Sequence, residues 1–170
     1  MLIGESFQGS GPDVAHVNTV LGPRLGPVGT AWATALATPS QGHAPFVVCL
    51  QPGTAVKPFT LFVTKSAPET AAHRTLTWGA AQAGVAAGVA DAVSEGVLAP
   101  EQCEDDVVIA AVWVNPDAAD ADAVYENNRV ATLEALRNSV QGLPGADQQA
   151  AARRQVSNGF YPGPGAPTTE

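Results

Sequence analysis

Apolar residues interleaved with polar ones run from Asp13 to Leu21. A period of two puts His16, Asn18 and Val20 on one face and Val17, Thr19 and Leu21 on the other, which predicts a strand. Gly22-Pro23-Arg24-Leu25-Gly26-Pro27 then reads as loop, because prolines restrict their neighbours and glycines permit tight turns. The alanine-rich stretch Val28–Thr38, with Trp32, Ala35 and Leu36, predicts a short helix that Pro39 ends. Strands follow at Pro45–Leu50 and Phe59–Thr64, with Val47–Leu50 and Thr60–Val63 read as buried runs. The longest helical region spans about Glu69 to Gly96, interrupted near Trp78-Gly79. Val85, Val89 and Val93 recur there at four-residue spacing beside Ala86 and Ala90, a surface small enough to pack closely on a sheet. Val107–Val114 is apolar throughout and predicts a central strand without a solvent face. Acidic residues from Asp117 to Asp122 suit the start of a helix running to Val140, whose Val124, Leu133, Leu136 and Val140 would cover the sheet.

Residues 1–141 therefore read as β-α-β-β-α-β-α, a single α/β layered domain with no internal repeat. From Gly142 the chain turns rich in Pro, Gly and Ala, so 142–170 reads as an extension with a short helix near Asp147–Arg154 and a mobile end. A length of 170 residues gives room for one such domain.

Charge narrows the partners. Eight Lys and Arg against 16 Asp and Glu give a formal net charge of −8, which argues against a general nucleic-acid or anionic-membrane surface. Only 14% of residues are charged while 45% are hydrophobic, a balance that favours burying part of the surface in an oligomer. Met1–Glu5 has no basic region or long apolar core, and the stretch 80–97 is broken by Gln82, Asp91 and Glu95, so neither a signal peptide nor a membrane span is expected. Cys49 and Cys103 fit no metal motif and read as unpaired thiols in a reducing, cytoplasmic setting.

Among three histidines, His16 is the best-placed acid–base group, sharing a strand face with Asn18 ahead of a Gly-Pro-Arg turn. A structural histidine at a strand edge is the alternative. His43 reads as a turn residue and His73 as part of a helix start; the three have no zinc-binding spacing, and no metal site is expected. Lys65 closes an apolar strand, either solvated or aimed into a strand-end crevice at an anion or carbonyl. Gln82 is a helix-start amide, either a cap or a donor–acceptor pair for a heterocycle edge. Gly9-Ser10-Gly11-Pro12 and the 22–27 loop match neither a dinucleotide nor a P-loop pattern. Trp32, Trp78 and Trp113 read as core or interface anchors.

The order of these pieces is informative as a set. Gly4-Glu5, Val14-Ala15-His16-Val17, Gly22-Pro23-Arg24, Pro27–Ala31, Lys57-Pro58, Lys65, Gly79-Ala80-Ala81-Gln82, Val89–Val93 with Glu95-Gly96-Val97, and Tyr125–Asn128 resemble the formaldehyde-activating enzyme family across residues 3–140. The resemblance implies an α/β fold with a left-handed β-α-β unit, of the ribosomal protein S5 domain 2-like kind, assembled as a homopentamer with clefts between subunits. It implies condensation of formaldehyde with tetrahydromethanopterin, a co-substrate, with no tightly bound cofactor. The family's catalytic histidine falls on His16, and its pterin-contacting positions fall on Asn18, Val47, Lys65, Ala67 and Gln82.

Two departures stand out. Asn18 occupies a position where the family has aspartate, and Ala67 one where it has threonine, so a carboxylate and a hydroxyl are missing. Gly79-Ala80-Ala81-Gln82 also replaces the family's Gly-Pro-Ala-Gln. Retained catalysis with altered ligand reading leaves open another pterin or amine as substrate, or an oligomer that binds pterin or formaldehyde without turnover.

Overall fold

The computed structural model describes residues 1–158 and 161–165. In chain order it contains β1 (Leu2–Gln8), β2 (Ala15–Pro23), α1 (Pro27–Ala37), β3 (Phe46–Val47), β4 (Cys49–Gln51), β5 (Thr54–Ala55), β6 (Phe59–Thr64) and α2 (Ala71–Thr75). A π turn over Leu76–Ala81 then leads into α3 (Gln82–Ser94), α4 (Gln102–Asp105), β7 (Asp106–Val114), α5 (Ala121–Gln141) and α6 (Ala146–Ala152). The main sheet has the order β1-β2-β7-β6-β3. β6 and β7 pair in parallel and the other neighbours antiparallel, so α2 and α3 form the crossover between them. This is the single α/β layered domain expected. The mobile end predicted for the extension falls partly on 159–160 and 166–170, outside the described residues.

The first strand was not legible as one because its pattern is inverted. Gly4 and Ser6 are buried while Ile3, Glu5 and Phe7 are exposed. The cause is α5, which lies so close that a Cβ on Gly4 would sit 1.8 Å from the carbonyl oxygen of Ala135. The same closeness recurs between the two long helices. A Cβ on Gly84 would meet the Tyr125 carbonyl oxygen at 2.3 Å, and one on Gly88 the Arg129 carbonyl oxygen at 2.4 Å. The smallest residues of α3 thus serve its contact with α5, while Val85, Ala86, Val89 and Ala92 join the sheet in the core. Asp91 and Arg129 tie the pair at its rim, Arg129 Nε donating to Asp91 at 2.6 Å and Nη2 at 3.3 Å.

Three expectations need correction. The Pro45–Leu50 strand is split: Phe46 and Val47 pair with β6, Cys49–Gln51 pairs with β5, and fully buried Val48 sits between, donating its N–H to the Thr60 carbonyl oxygen and accepting from Val56. Leu50 is exposed. β7 is central but not buried on both sides: Val108, Ala110, Val112 and Val114 face the helices, whereas Ile109, Ala111 and Trp113 are only half-buried. Strand β2 runs through Gly22 and Pro23, which pair with Val107 and Asp106, so the loop begins at Arg24.

The second sheet face is only partly covered. Gly22 shares the face of His16, Asn18 and Val20, and a Cβ there would meet Val28 Cγ2 of α1 at 2.9 Å. Helix α1 therefore shields one end of this face and leaves the His16 end open. His73 fixes the C-terminal end of β7, next to Trp113. Its Nδ1 accepts from the Glu69 backbone N–H at 3.2 Å, which assigns the proton to Nε2, donated to the Val114 carbonyl oxygen at 3.0 Å. With 2% exposure it is a structural histidine.

Candidate active site

Strand register assembles the site. Phe7 pairs with His16, His16 pairs with Trp113, and Lys65 lies one step beyond the Thr64–Val112 pair, so Phe7, His16 and Trp113 form a row across three strands that Lys65, just past β6, extends. The adjacent row is Glu5, Asn18, Ala111 and Val63. Because side chains alternate faces, both rows stand on the side that α1 leaves open. A cavity of about 660 Å³ opens there, lined by Glu5, Phe7, His16, Lys65, Trp113, Ser157 and Asn158.

His16 sits between opposite charges. Its Nε2 is 3.0 Å from Glu5 Oε1, its ring lies 5.9 Å from that of Phe7, and Lys65 Nζ donates to its backbone carbonyl oxygen at 3.2 Å. Burial and then the Lys65 ammonium push the imidazole below its ordinary pKa, while Glu5 pulls it back up by charge and hydrogen bond. Burial likewise pushes Lys65 down to about 8, with Glu5 opposing. The result is a titratable histidine and a readily neutralised amine beside each other in an apolar-walled cleft, an arrangement suited to general acid–base proton transfer.

The other residues assigned by resemblance are dispersed. Asn18 is half-buried on the same face, directly across from Glu5, but does not line the cavity. Val47 lies on the edge strand β3. Ala67 is exposed against the turn at Gly42, where a Cβ on that glycine would approach it to 2.6 Å. His43 belongs to that turn and contacts Thr64 through its carbonyl oxygen at 3.1 Å and hydroxyl at 3.2 Å. Gln82 opens α3 and accepts the Cys49 backbone N–H on Oε1 at 2.9 Å. The chain's own fold thus brings together His16 and Lys65 at the cavity but not Val47, Ala67 or Gln82.

Sequence reasoning did not find Glu5, Phe7, Trp113, Ser157 or Asn158 as site residues. Glu5 stood in a recognised motif, but its partner is 11 residues away and only strand pairing joins them. Ser157 and Asn158 come from the extension expected to be an appendage, in which the backbones of Asn158 and Tyr161 pair. Among the described residues no group of three His, Cys, Asp or Glu could hold a metal ion, and no helix is long and apolar enough to cross a membrane.

A half-buried histidine flanked by a carboxylate and an amine, on the open face of one α/β layer, is an arrangement that can carry acid–base chemistry on a small organic substrate. Sequence comparison identifies the family. The chain matches the formaldehyde-activating enzyme family over residues 3–161 and belongs to it. It is 40% identical over 159 residues to the 5,6,7,8-tetrahydromethanopterin hydro-lyase of Methanosarcina barkeri, covering 94% of this chain and 89% of that protein. It is also 40% identical over 147 residues to the bifunctional enzyme Fae/Hps of Methanothrix thermoacetophila, and 41% identical over 147 residues to that of Methanococcoides burtonii. Each match covers 86% of this chain but only 38% and 37% of the bifunctional proteins, so the chain spans little more than a third of their length.

Proposed function

We propose that the protein condenses formaldehyde with tetrahydromethanopterin, giving 5,10-methylenetetrahydromethanopterin and water, with His16 as the proton donor. The observation that carries this reading is His16 placed between Glu5 and Lys65 at the cleft, in a chain of this family. Formaldehyde adds readily to the nucleophilic pterin nitrogen. The hydroxymethylamine so formed loses hydroxide poorly unless that oxygen is protonated. Protonated His16 donates to it, water leaves, and the lone pair on nitrogen closes the iminium. The second pterin nitrogen then attacks the iminium carbon, and its proton returns to the imidazole, so protons balance over the cycle. Lys65 and Gln82 orient the pterin, and holding the second nitrogen near the iminium adds an orientation effect.

The site is shared between subunits of a homopentamer. Val47 and Gln82 lie outside the His16 cleft of their own chain, so a neighbouring copy brings them to the pterin. The pterin is a co-substrate and no cofactor stays tightly bound; the setting is cytoplasmic. Residues 1–141 form the catalytic body, and the 142–170 extension contributes Ser157 and Asn158 to the cleft wall.

Formation of the methylene product above the uncatalysed rate, on mixing enzyme, formaldehyde and tetrahydromethanopterin, tests this reading. His16→Ala is expected to lower kcat by about a hundredfold or more. No acceleration by the unmodified protein would overturn it.

Asn18 and Ala67 favour a second reading, in which the same chemistry acts on another reduced pterin or amine. The amide at 18 presents a donor as well as an acceptor, and the methyl at 67 presents neither. Under this reading a panel of amines gives a kcat/KM above that of tetrahydromethanopterin, and Asn18→Asp reverses the preference. Exclusive use of tetrahydromethanopterin refutes it.

A further inference from the structure

We propose that Glu5 is a positioning residue for His16, its carboxylate holding the imidazole through Nε2 and stabilising the protonated form that donates to the departing hydroxyl. The inference deepens the function proposed above and depends on it for the catalytic consequence. Geometry carries it. Strand β1 places Glu5 across from Asn18 and next to the row of His16, and the carboxylate oxygen reaches Nε2 at 3.0 Å.

Among the described residues, the other influences on His16 are burial and Lys65, and both work against the proton. The strand on its other side, β7, contributes Trp113 and Ala111, neither charged, and the chain beyond β6 contributes the Lys65 ammonium. From the extension come the neutral Ser157 and Asn158. On its own strand the nearest neighbour on the same face is Asn18, an amide. Among the described residues lining the cleft, Glu5 is therefore the one carboxylate, and it opposes the downward pull of burial and Lys65 on the imidazole. Glu5 also opposes the loss of charge at Lys65, so it acts in the same direction on both groups.

The placement depends on the inverted pattern of β1. Gly4 and Ser6 go to the core, so Glu5 must project onto the open face between Ile3 and Phe7. At 58% side-chain exposure Glu5 is not held for packing, which makes its contact with the histidine the feature that distinguishes it.

The test compares Glu5→Gln and Glu5→Asp with the unmodified protein. The protonation of His16 is followed by the NMR signal of its C2 proton, identified among three histidines by its absence in His16→Asn. Glu5→Gln is expected to shift half-protonation of His16 to lower pH and to cut kcat at pH 7 by roughly tenfold, short of the loss from removing His16. KM should change little, and the kcat deficit should narrow as pH falls. Glu5→Asp, which keeps the charge, should restore much of both. An unmoved His16 titration in Glu5→Gln, or a kcat loss equal at all pH values, would overturn the inference. Turnover that survives His16→Ala would instead defeat the function while leaving the titration result to stand on its own.

Discussion

Replacing Gly4 by alanine joins packing to chemistry. The new Cβ would lie 1.8 Å from the Ala135 carbonyl oxygen, 2.7 Å from its carbon and 2.9 Å from Thr19 Oγ1. Ala135 contributes backbone atoms of α5, which no rotamer change can move aside. Raising the closest approach to even 3.0 Å requires strand and helix to separate by about 1.2 Å. Overpacking of this size costs about 3 kcal/mol, at the upper end of the usual range, because the contacts of β1 along α5 loosen together. The entropy that alanine removes from the unfolded chain returns about 0.4–1 kcal/mol, leaving a net loss near 2 kcal/mol. For a chain of this length that is a fall of roughly 4–8 °C in Tm, and a matching drop in the urea midpoint at fixed protein concentration. Gly79→Ala is the control, since a Cβ at Gly79 meets nothing within 4 Å. It should leave stability unchanged or raise it by about 0.5 kcal/mol. Strand β1 also carries Glu5, so Gly4→Ala should shift His16 half-protonation to lower pH, in the direction of Glu5→Gln. Equal stabilities for Gly4→Ala and Gly79→Ala would refute the close approach of β1 and α5 and with it the reason for the inverted strand.

His73→Ala removes the acceptor of the Glu69 N–H and the donor to the buried Val114 carbonyl, and should cost about 2–4 kcal/mol by urea denaturation. Lys65 binds its proton more weakly folded than unfolded, so the unfolded chain holds more protons between about pH 8 and 10.5 and stability gains a rising contribution across that window. Lys65→Met should flatten that rise in the urea midpoint relative to the unmodified protein, and should also move His16 half-protonation to higher pH, opposite to Glu5→Gln. Asp91→Asn leaves the Arg129 guanidinium without its bidentate partner at the α3–α5 rim; with both side chains partly exposed the loss should stay near 1 kcal/mol in the same assay.

The chain's own alternation and composition determined the strands β2, β6 and β7, the helices α1 and α5, and the face shared by His16 and Asn18. Period-two and helical patterns survive wherever a residue's partner is simply core or solvent. The interruption near Gly79 was legible too, and appears as the π turn over Leu76–Ala81. Family resemblance marked His16, together with Asn18, Val47, Lys65, Ala67 and Gln82, as expected site residues.

Tertiary structure decided the rest. Strand β1 could not be read because closeness to α5 demands glycine and serine on its inner side, so the polarity rule runs backwards there. The pairing of Glu5 with His16 depends on register between two strands, and register is set by the packing of whole faces. Trp113 was legible as an anchor but not as a wall of the cleft, because only the short span of α1 leaves that end of β7 uncovered. Ser157 and Asn158 reach the site from a segment with no periodicity. Local pattern specifies which side of an element is buried, whereas a site is made where elements distant in sequence meet, and that meeting is fixed by packing and pairing over the whole domain.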